Sequence, residues 1–393
     1  MKKTFKRLGA VLLAAFMLLS TTICALAVEG TAGASTTGKI TLNVSNVADG
    51  DTVSAYKLVS YNDTKNGYKF DTDFESYIKS QDDIGEQTAE QYLASLDATG
   101  VNKLLEGYAT ACKTGDTYSL PTVSAEAKAT SSNTASLELQ AGYYLLLTTT
   151  TGKNSHIYTP LSAFVKVDGD DLAVYAGYAK TELPNQEGAY TVSAKYANGP
   201  TIDKKTNATK GSGEATWKET AAAGVGDTVR FYVKVNIPKY TDGTTLNLTV
   251  NDTLTNLEYK EKTAKVYTEE PTLDANGVTG NPATIDNAIK NTDIAGKYTV
   301  DGSTGTQKLK FELDYAAIMK NATAEKSVYV YYEAIVKPEA VKNGTHEGTN
   351  VASLTYSNAS TPGSAHETDK VTTKVFDYYL KLNKVKNNTE DAL

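Results

Sequence analysis

Three residues in the second half of the chain stand where strand alternation turns them inward, and together their side chains could make a covalent bond. In 246–254 the even positions are Leu246, Leu248, Val250, Asp252 and Leu254, with Asn247, Thr249, Asn251 and Thr253 between them. Successive strand residues point to opposite faces, so Asp252 falls in an apolar row. In 350–356 the inward row is Asn350, Ala352, Leu354 and Tyr356. In Pro200-Thr201-Ile202-Asp203-Lys204, Lys204 lies on the side of Ile202. A lone buried ammonium or carboxylate is costly, so such groups shift their pKa, pair or react. A buried lysine that sheds its proton is a nucleophile, and a buried aspartic acid that keeps one is an acid. If the three meet, the carboxyl polarises the Asn350 carboxamide, the amine attacks its carbonyl carbon, and ammonia leaves behind a Lys–Asn isopeptide bond. Taken singly, each has an ordinary reading: Lys204 could snorkel, Asp252 could cap a turn, and Asn350 could satisfy a strand end.

These residues need strands to hold them, and the composition supplies strand formers. The 393 residues include 26 Tyr beside abundant Thr and Val, which favours β structure. With 40% hydrophobic and 22% charged residues the chain is ordinarily globular, and its length suits two or three domains. The first 27 residues read as a signal peptide: Lys2, Lys3, Lys6 and Arg7, an apolar run from Leu8 to Leu19, then Ala25-Leu26-Ala27. Its removal leaves 35 basic against 46 acidic residues, which disfavours nucleic-acid binding. Cys24 leaves with it, so Cys112 is the only remaining thiol and no intrachain disulfide is expected. Three His and one thiol offer no metal or cofactor site.

Alternation predicts strands at Lys39–Val44, Thr52–Val59, Ala135–Leu139, Tyr143–Thr149, Ala163–Val167 and Leu172–Tyr178. Phe74, Tyr77, Ile78, Tyr92, Leu93, Leu96, Leu104, Leu105 and Tyr108 recur at helical spacing, which predicts two or three short helices over 72–112. Linker chemistry at 181–188 places a first domain over 28–185. Strands at Thr228–Ile237, Leu246–Leu254, Leu309–Leu313, Val328–Val336 and Asn350–Tyr356 give a β-sandwich over 186–376. Residues 377–393 read as the first strand of a truncated third domain. The fold class is therefore mainly β, with tandem Ig-like β-sandwich domains, the first carrying a helical insertion.

Four stretches carry a resemblance. Gly199-Pro200-Thr201-Ile202-Asp203-Lys204-Lys205, Val225-Gly226-Asp227-Thr228-Val229, Thr249-Val250-Asn251-Asp252-Thr253-Leu254 and Asn350-Val351-Ala352-Ser353-Leu354-Thr355-Tyr356-Ser357-Asn358 together resemble the Gram-positive sortase-assembled fimbrial major subunits, in the family's order. Ala55-Tyr56-Lys57-Leu58 and Ala141-Gly142-Tyr143-Tyr144-Leu145-Leu146 resemble the family's N-terminal domain. The resemblance implies an isopeptide bond between Lys204 and Asn350 with Asp252 as proton donor, Glu333 being the runner-up catalyst and Lys205 the runner-up lysine. It also implies a lysine ahead of the second domain that a sortase joins to the next subunit. Lys195 is the candidate, although Tyr190-Thr191-Val192-Ser193-Ala194-Lys195 lacks the family's Tyr-Pro before the lysine. Lys384 repeats the inward pattern as a third-domain isopeptide lysine. No Leu-Pro-x-Thr-Gly sorting signal is present.

The implied function is a shaft subunit of a covalent cell-surface pilus, secreted and attached at the cell wall. Its implied partners are identical subunits, a pilus sortase and a host or matrix ligand; no membrane is expected in the mature form. A non-polymerising adhesin using the same domains is the alternative. A secreted hydrolase is disfavoured, because no Gly-x-Ser-x-Gly elbow occurs and Cys112 has no His near it in sequence.

Overall fold

The computed structural model describes residues 38–377 apart from 63–66, 115–116, 152–154, 169–170, 179–180, 209–214, 241–242, 275–276, 281 and 345. The expected signal peptide and the strand with Lys384 lie outside the described residues. The chain divides into two compact units: residues up to Asn198 with 240–246 and 357–365, and Gly199–Lys239 with 247–356 and the residues from His366 onward. Among the described residues no helix is long and apolar enough to cross a membrane.

The first unit has strands β1 (Ile40–Ser45), β2 (Thr52–Asn62), β3 (Gly67–Phe70), β4 (Val123–Lys128), β5 (Thr134–Leu139), β6 (Gly142–Thr149), β7 (His156–Tyr158), β8 (Leu161–Asp168), β9 (Asp171–Ala176), β10 (Thr181–Glu182), β11 (Ala189–Ser193) and β12 (Tyr196–Asn198). Helices α1 (Thr72–Lys79), α2 (Ala89–Ser95) and α3 (Ala98–Thr114) fill the expected helical stretch. One sheet runs β11-β1-β5, a second β10-β9-β8-β6-β2-β3 with β4 also on β2, and β12 pairs with β7 in a third. Strand β6 explains its own sequence. Tyr144 and Leu146 pack with Leu42, Val44 and Leu137 toward the first sheet, while Tyr143, Leu145 and Leu147 pack with Phe74, Leu105 and Tyr108 under the helices. A strand covered on both faces has no polar row, hence the unbroken Tyr-Tyr-Leu-Leu-Leu run. The helices start where their side chains can cap: Asp71 accepts from the Phe74 amide, and Thr88 forms a reciprocal box with Gln91.

The division of the chain differs from the expected boundary at 185/186. Strand β10 pairs with β9, and β11 lies parallel to β1 with Leu42 opposite Tyr190 and Val44 opposite Val192. The Pro-Asn-Gln-Glu-Gly segment is thus a turn inside the first unit. Its turn chemistry reads the same whether it joins two strands or two domains.

The second unit has β13 (Thr201–Asn207), β14 (Thr220–Ala222), β15 (Thr228–Ile237), β16 (Leu246–Thr255), β17 (Leu257–Tyr259), β18 (Lys265–Tyr267), β19 (Leu273–Asp274), β20 (Gly277–Val278), β21 (Ile289–Asp301), β22 (Thr304–Leu313), β23 (Lys326–Val336), β24 (Glu347–Asn358), β25 (His366–Glu367) and β26 (Val371–Phe376), with a one-turn helix α4 (Tyr315–Met319). One sheet is ordered β13-β15-β23-β17 with β18 also on β23. A second is ordered β14-β26-β24-β16-β22-β21 with β25 on β24, and β19 pairs with β20 in a third. Val233, Val235, Val330 and Tyr332 of the first sheet are fully buried, as are Val250, Leu254, Phe311 and Leu354 of the second. The interior between the sheets is where the predicted inward rows converge.

Candidate functional site

Two sheets deliver the site. Strand β13 contributes Lys204 and β23 contributes Tyr332, from the first sheet; β16 contributes Asp252 and β24 contributes Asn350, from the second. Lys204, Asp252, Tyr332 and Asn350 are each at most 2% exposed. The Lys204 Nζ lies 2.6 Å from Asp252 Oδ2, with both side chains wholly enclosed. The same Nζ donates to the Tyr332 hydroxyl at 2.9 Å. That hydroxyl in turn donates to Asp252 Oδ2 and accepts from Asn350 Nδ2, the latter at 2.6 Å. The lysine, the aspartate and the asparagine are thus joined through one tyrosine oxygen. Aromatic rings wall the cluster: Phe231 stacks on Tyr332 with centroids 5.6 Å apart, Phe311 lies 5.4 Å from it, and Tyr259 6.1 Å. The Lys204 Nζ is 5.3 Å from the Tyr332 ring centre and 5.6 Å from that of Phe231.

This environment favours neutral partners. Burial pushes the Lys204 amine below its usual value, against the pull of the Asp252 charge. Burial pushes the Asp252 carboxyl up, against Lys204 and the hydrogen bond from Tyr332. Burial and the neighbouring Asp252 hold the Tyr332 phenol well above its ordinary value. A neutral amine beside a neutral carboxylic acid is the starting state that amide exchange needs. Three polar atoms at the cluster have no hydrogen-bond partner among the described residues: Asn350 Oδ1, Asp252 Oδ1 and, on the neighbouring strand β26, Thr373 Oγ1.

The runner-up residues stand elsewhere. Glu333 is next to Tyr332 in β23 and so points to the opposite face. There its carboxylate meets Lys260 at 2.7 Å and the Tyr331 hydroxyl at 2.7 Å, with Arg230 at 3.9 Å. Burial raises its pKa, but these hydrogen bonds and charges outweigh burial and hold it low. It is an ionised, paired carboxylate away from Lys204. Lys205 likewise faces away from the cluster, 3.2 Å from Glu219 and 3.7 Å from Asp203. Lys195 belongs to the first unit and is exposed. Its backbone is fixed, because its carbonyl accepts from the Thr159 amide at 2.9 Å while the preceding Ala194 amide donates to Ser45 O at 2.9 Å. Lys384 lies outside the described residues.

Tyr332 is the residue that alternation did not single out. Its row, Val328, Val330, Tyr332, Ala334 and Val336, reads as the more apolar face of β23. The only signal was a hydroxyl in an otherwise hydrocarbon row, and a strand tyrosine is too common to flag.

No family model matches the chain, and no curated protein matches it. Among solved structures it is similar to the T6 backbone pilin of serotype M6 Streptococcus pyogenes, at 17% identity and a TM-score of 0.48, over 88% of this chain and 65% of that one. It is similar to the full-length major pilin SpaD from Corynebacterium diphtheriae at 14% identity and 0.39, over 88% and 67%. It is also similar to BcpA, the major pilin subunit of Bacillus cereus, at 14% identity and 0.35, over 86% and 69%. The chain therefore spans about two thirds of the length of these pilins.

Proposed function

We propose that the chain is a structural shaft subunit of a covalently polymerised cell-surface pilus, and that its second unit closes on a self-formed isopeptide bond between Lys204 and Asn350. The observation that carries the reading is the enclosed Lys204–Asp252 contact at 2.6 Å, linked to Asn350 through Tyr332. Lysine and aspartate are almost never fully enclosed, because taking the two charges out of water is expensive. The Lys204 amine attacks Asn350 Cγ, Asp252 serves as the acid, and ammonia leaves. The reaction runs once and its product stays in the chain, so the protein is not an enzyme. The link would join β13 of one sheet to β24 of the other. A load applied across the sandwich would then meet a covalent bond rather than a hydrogen-bond ladder alone.

Polymerisation rests on the motif resemblance and on Lys195, an exposed side chain on a backbone held at its own carbonyl and at the preceding Ala194 amide. A pilus sortase would join it to the C-terminal end of the next copy, outside the cell and at the cell wall. Intact mass of the purified chain tests the bond. The wild type should weigh one ammonia less than its sequence, and Lys204→Ala, Asn350→Ala and Asp252→Ala should each restore the full mass. An ammonia loss that survives all three substitutions would remove the reading.

A further inference from the structure

Amide exchange at this cluster must move one proton and stabilise one oxyanion, and the lysine, aspartate and asparagine alone leave both tasks incomplete. The attacking amine must lose a proton, whereas the departing carboxamide nitrogen must gain one to leave as ammonia. Asp252 Oδ2 reaches Lys204 Nζ, but the leaving nitrogen, Asn350 Nδ2, has its contact with the Tyr332 hydroxyl at 2.6 Å. That hydroxyl also donates to Asp252 Oδ2. The oxygen on which charge develops, Asn350 Oδ1, has no partner among the described residues. Directly across the ladder from Asn350 stands Thr373. Facing residues of an antiparallel pair share a face, with Cβ atoms about 4.5–5.5 Å apart. Thr373 is fully buried, and its hydroxyl oxygen likewise has no partner among the described residues. Unpartnered polar atoms on facing residues of a sealed interior are costly in the resting domain. They make sense if the hydroxyl is kept for a charge that exists only during the reaction.

We infer that Tyr332 is the proton carrier to the leaving group and Thr373 the oxyanion donor of isopeptide formation. This rests on the Lys204–Asn350 bond proposed above. The balance is as follows. The Lys204 Nζ–Asn350 Cγ bond forms as the carbonyl electron pair moves onto Oδ1, where the Thr373 hydroxyl donates a hydrogen bond. The Tyr332 hydroxyl gives its proton to Nδ2 and takes the one held by Asp252, and the carboxylate so freed takes one proton from Nζ. The carbonyl re-forms, the Cγ–Nδ2 bond breaks, and ammonia departs. Asp252 and Tyr332 end in the protonation states in which they began, and no oxidant, metal or cofactor is consumed. The raised phenol of Tyr332 disfavours a free tyrosinate, so its two proton transfers are coupled.

The test follows the mass change in time. The full chain is translated in a cell-free system, samples are quenched in denaturant at intervals, and the fraction lighter by one ammonia is read by mass spectrometry. Variants Tyr332→Phe, Thr373→Val and Thr373→Ser are compared with wild type, and near-ultraviolet circular dichroism checks that each is folded. Tyr332→Phe keeps the ring that packs on Phe231, and Thr373→Val keeps the shape of the side chain. Each should slow conversion by about 100-fold, the usual loss for one oxyanion donor or general acid. Thr373→Ser should stay within about threefold of wild type, because it keeps the hydroxyl. Folded Tyr332→Phe or Thr373→Val chains that convert at the wild-type rate overturn the corresponding role. Thr373→Ser as slow as Thr373→Val would mean packing, not the hydroxyl, and would overturn the oxyanion assignment. A wild-type chain that never becomes lighter refutes the isopeptide reading itself, an outcome distinct from the other two.

Discussion

Replacing Asn350 by Ala removes one end of the proposed link while leaving Lys204 beside Asp252 at 2.6 Å, so it isolates the bond better than a lysine substitution. The bond would close a loop of 145 intervening residues between Lys204 and Asn350. In the chain-entropy treatment used for disulfides, a loop of this size stabilises by about 5 kcal/mol. For a unit of this size each kcal/mol shifts the melting temperature by about 2–4 °C, so Asn350→Ala should melt about 10–20 °C below wild type. Part of the effect acts on the unfolded chain, so the contacts seen in the folded unit would be nearly unchanged. Differential scanning calorimetry of the full chain, wild type against Asn350→Ala, measures it, with Asp252→Ala as a second bond-free comparison. If the wild type carries the mass loss and Asn350→Ala still melts within about 3 °C of it, the loop-closure reasoning is refuted.

Three further outcomes are expected. Glu106 of α3 is 1% exposed, neither carboxyl oxygen has a well-formed hydrogen bond among the described residues, and burial lifts its pKa from 4.5 to about 8, only partly offset by Asn358, Ser360 and the Thr245 backbone. The folded chain thus holds a proton that the unfolded chain has released between those pH values. Stability should fall as pH rises through that window, by an order of 3–5 kcal/mol. Glu106→Gln should flatten the slope of melting temperature against pH, and an unchanged slope would show that Glu106 does not set it. Lys195→Ala should abolish transfer of a labelled sorting-motif peptide to the chain by a pilus sortase, measured by gel mobility and mass; undiminished transfer would move the acceptor to another lysine. Gly142 has φ +150° and a Cβ there would lie 2.6 Å from Val59 O, so Gly142→Ala should cost about 1–3 kcal/mol in urea unfolding; an unchanged midpoint would show that β6 can shift away from β2.

The site was legible to the extent that it follows a period of two. Asp252 and Asn350 show up because their strands are covered on one face, which makes a polar residue in the apolar row stand out. Lys204 shows up through Ile202 alone, a weaker signal, since β13 is short. Thr373 could not be seen, because its place at the cluster comes from lying opposite Asn350, and cross-strand register leaves little trace in a Thr-rich sequence. Strand β21 was also invisible: its register against β22 shifts between Ile289 and Asn291 and again between Ala295 and Thr299, which breaks the alternation that reveals a strand. Membership of 240–246 and 357–365 in the first unit rests on contacts such as Asn358 Nδ2 to Tyr158 O at 3.0 Å, between residues far apart in sequence. Local pattern cannot anticipate such pairing.

The most direct measurement is proteolysis of the folded, purified chain followed by tandem mass spectrometry of the branched peptides. The account predicts one peptide pair, one containing Lys204 and the other Asn350, joined through the two side chains with the loss of one ammonia. Separate, unmodified peptides carrying Lys204 and Asn350 at full yield would contradict it.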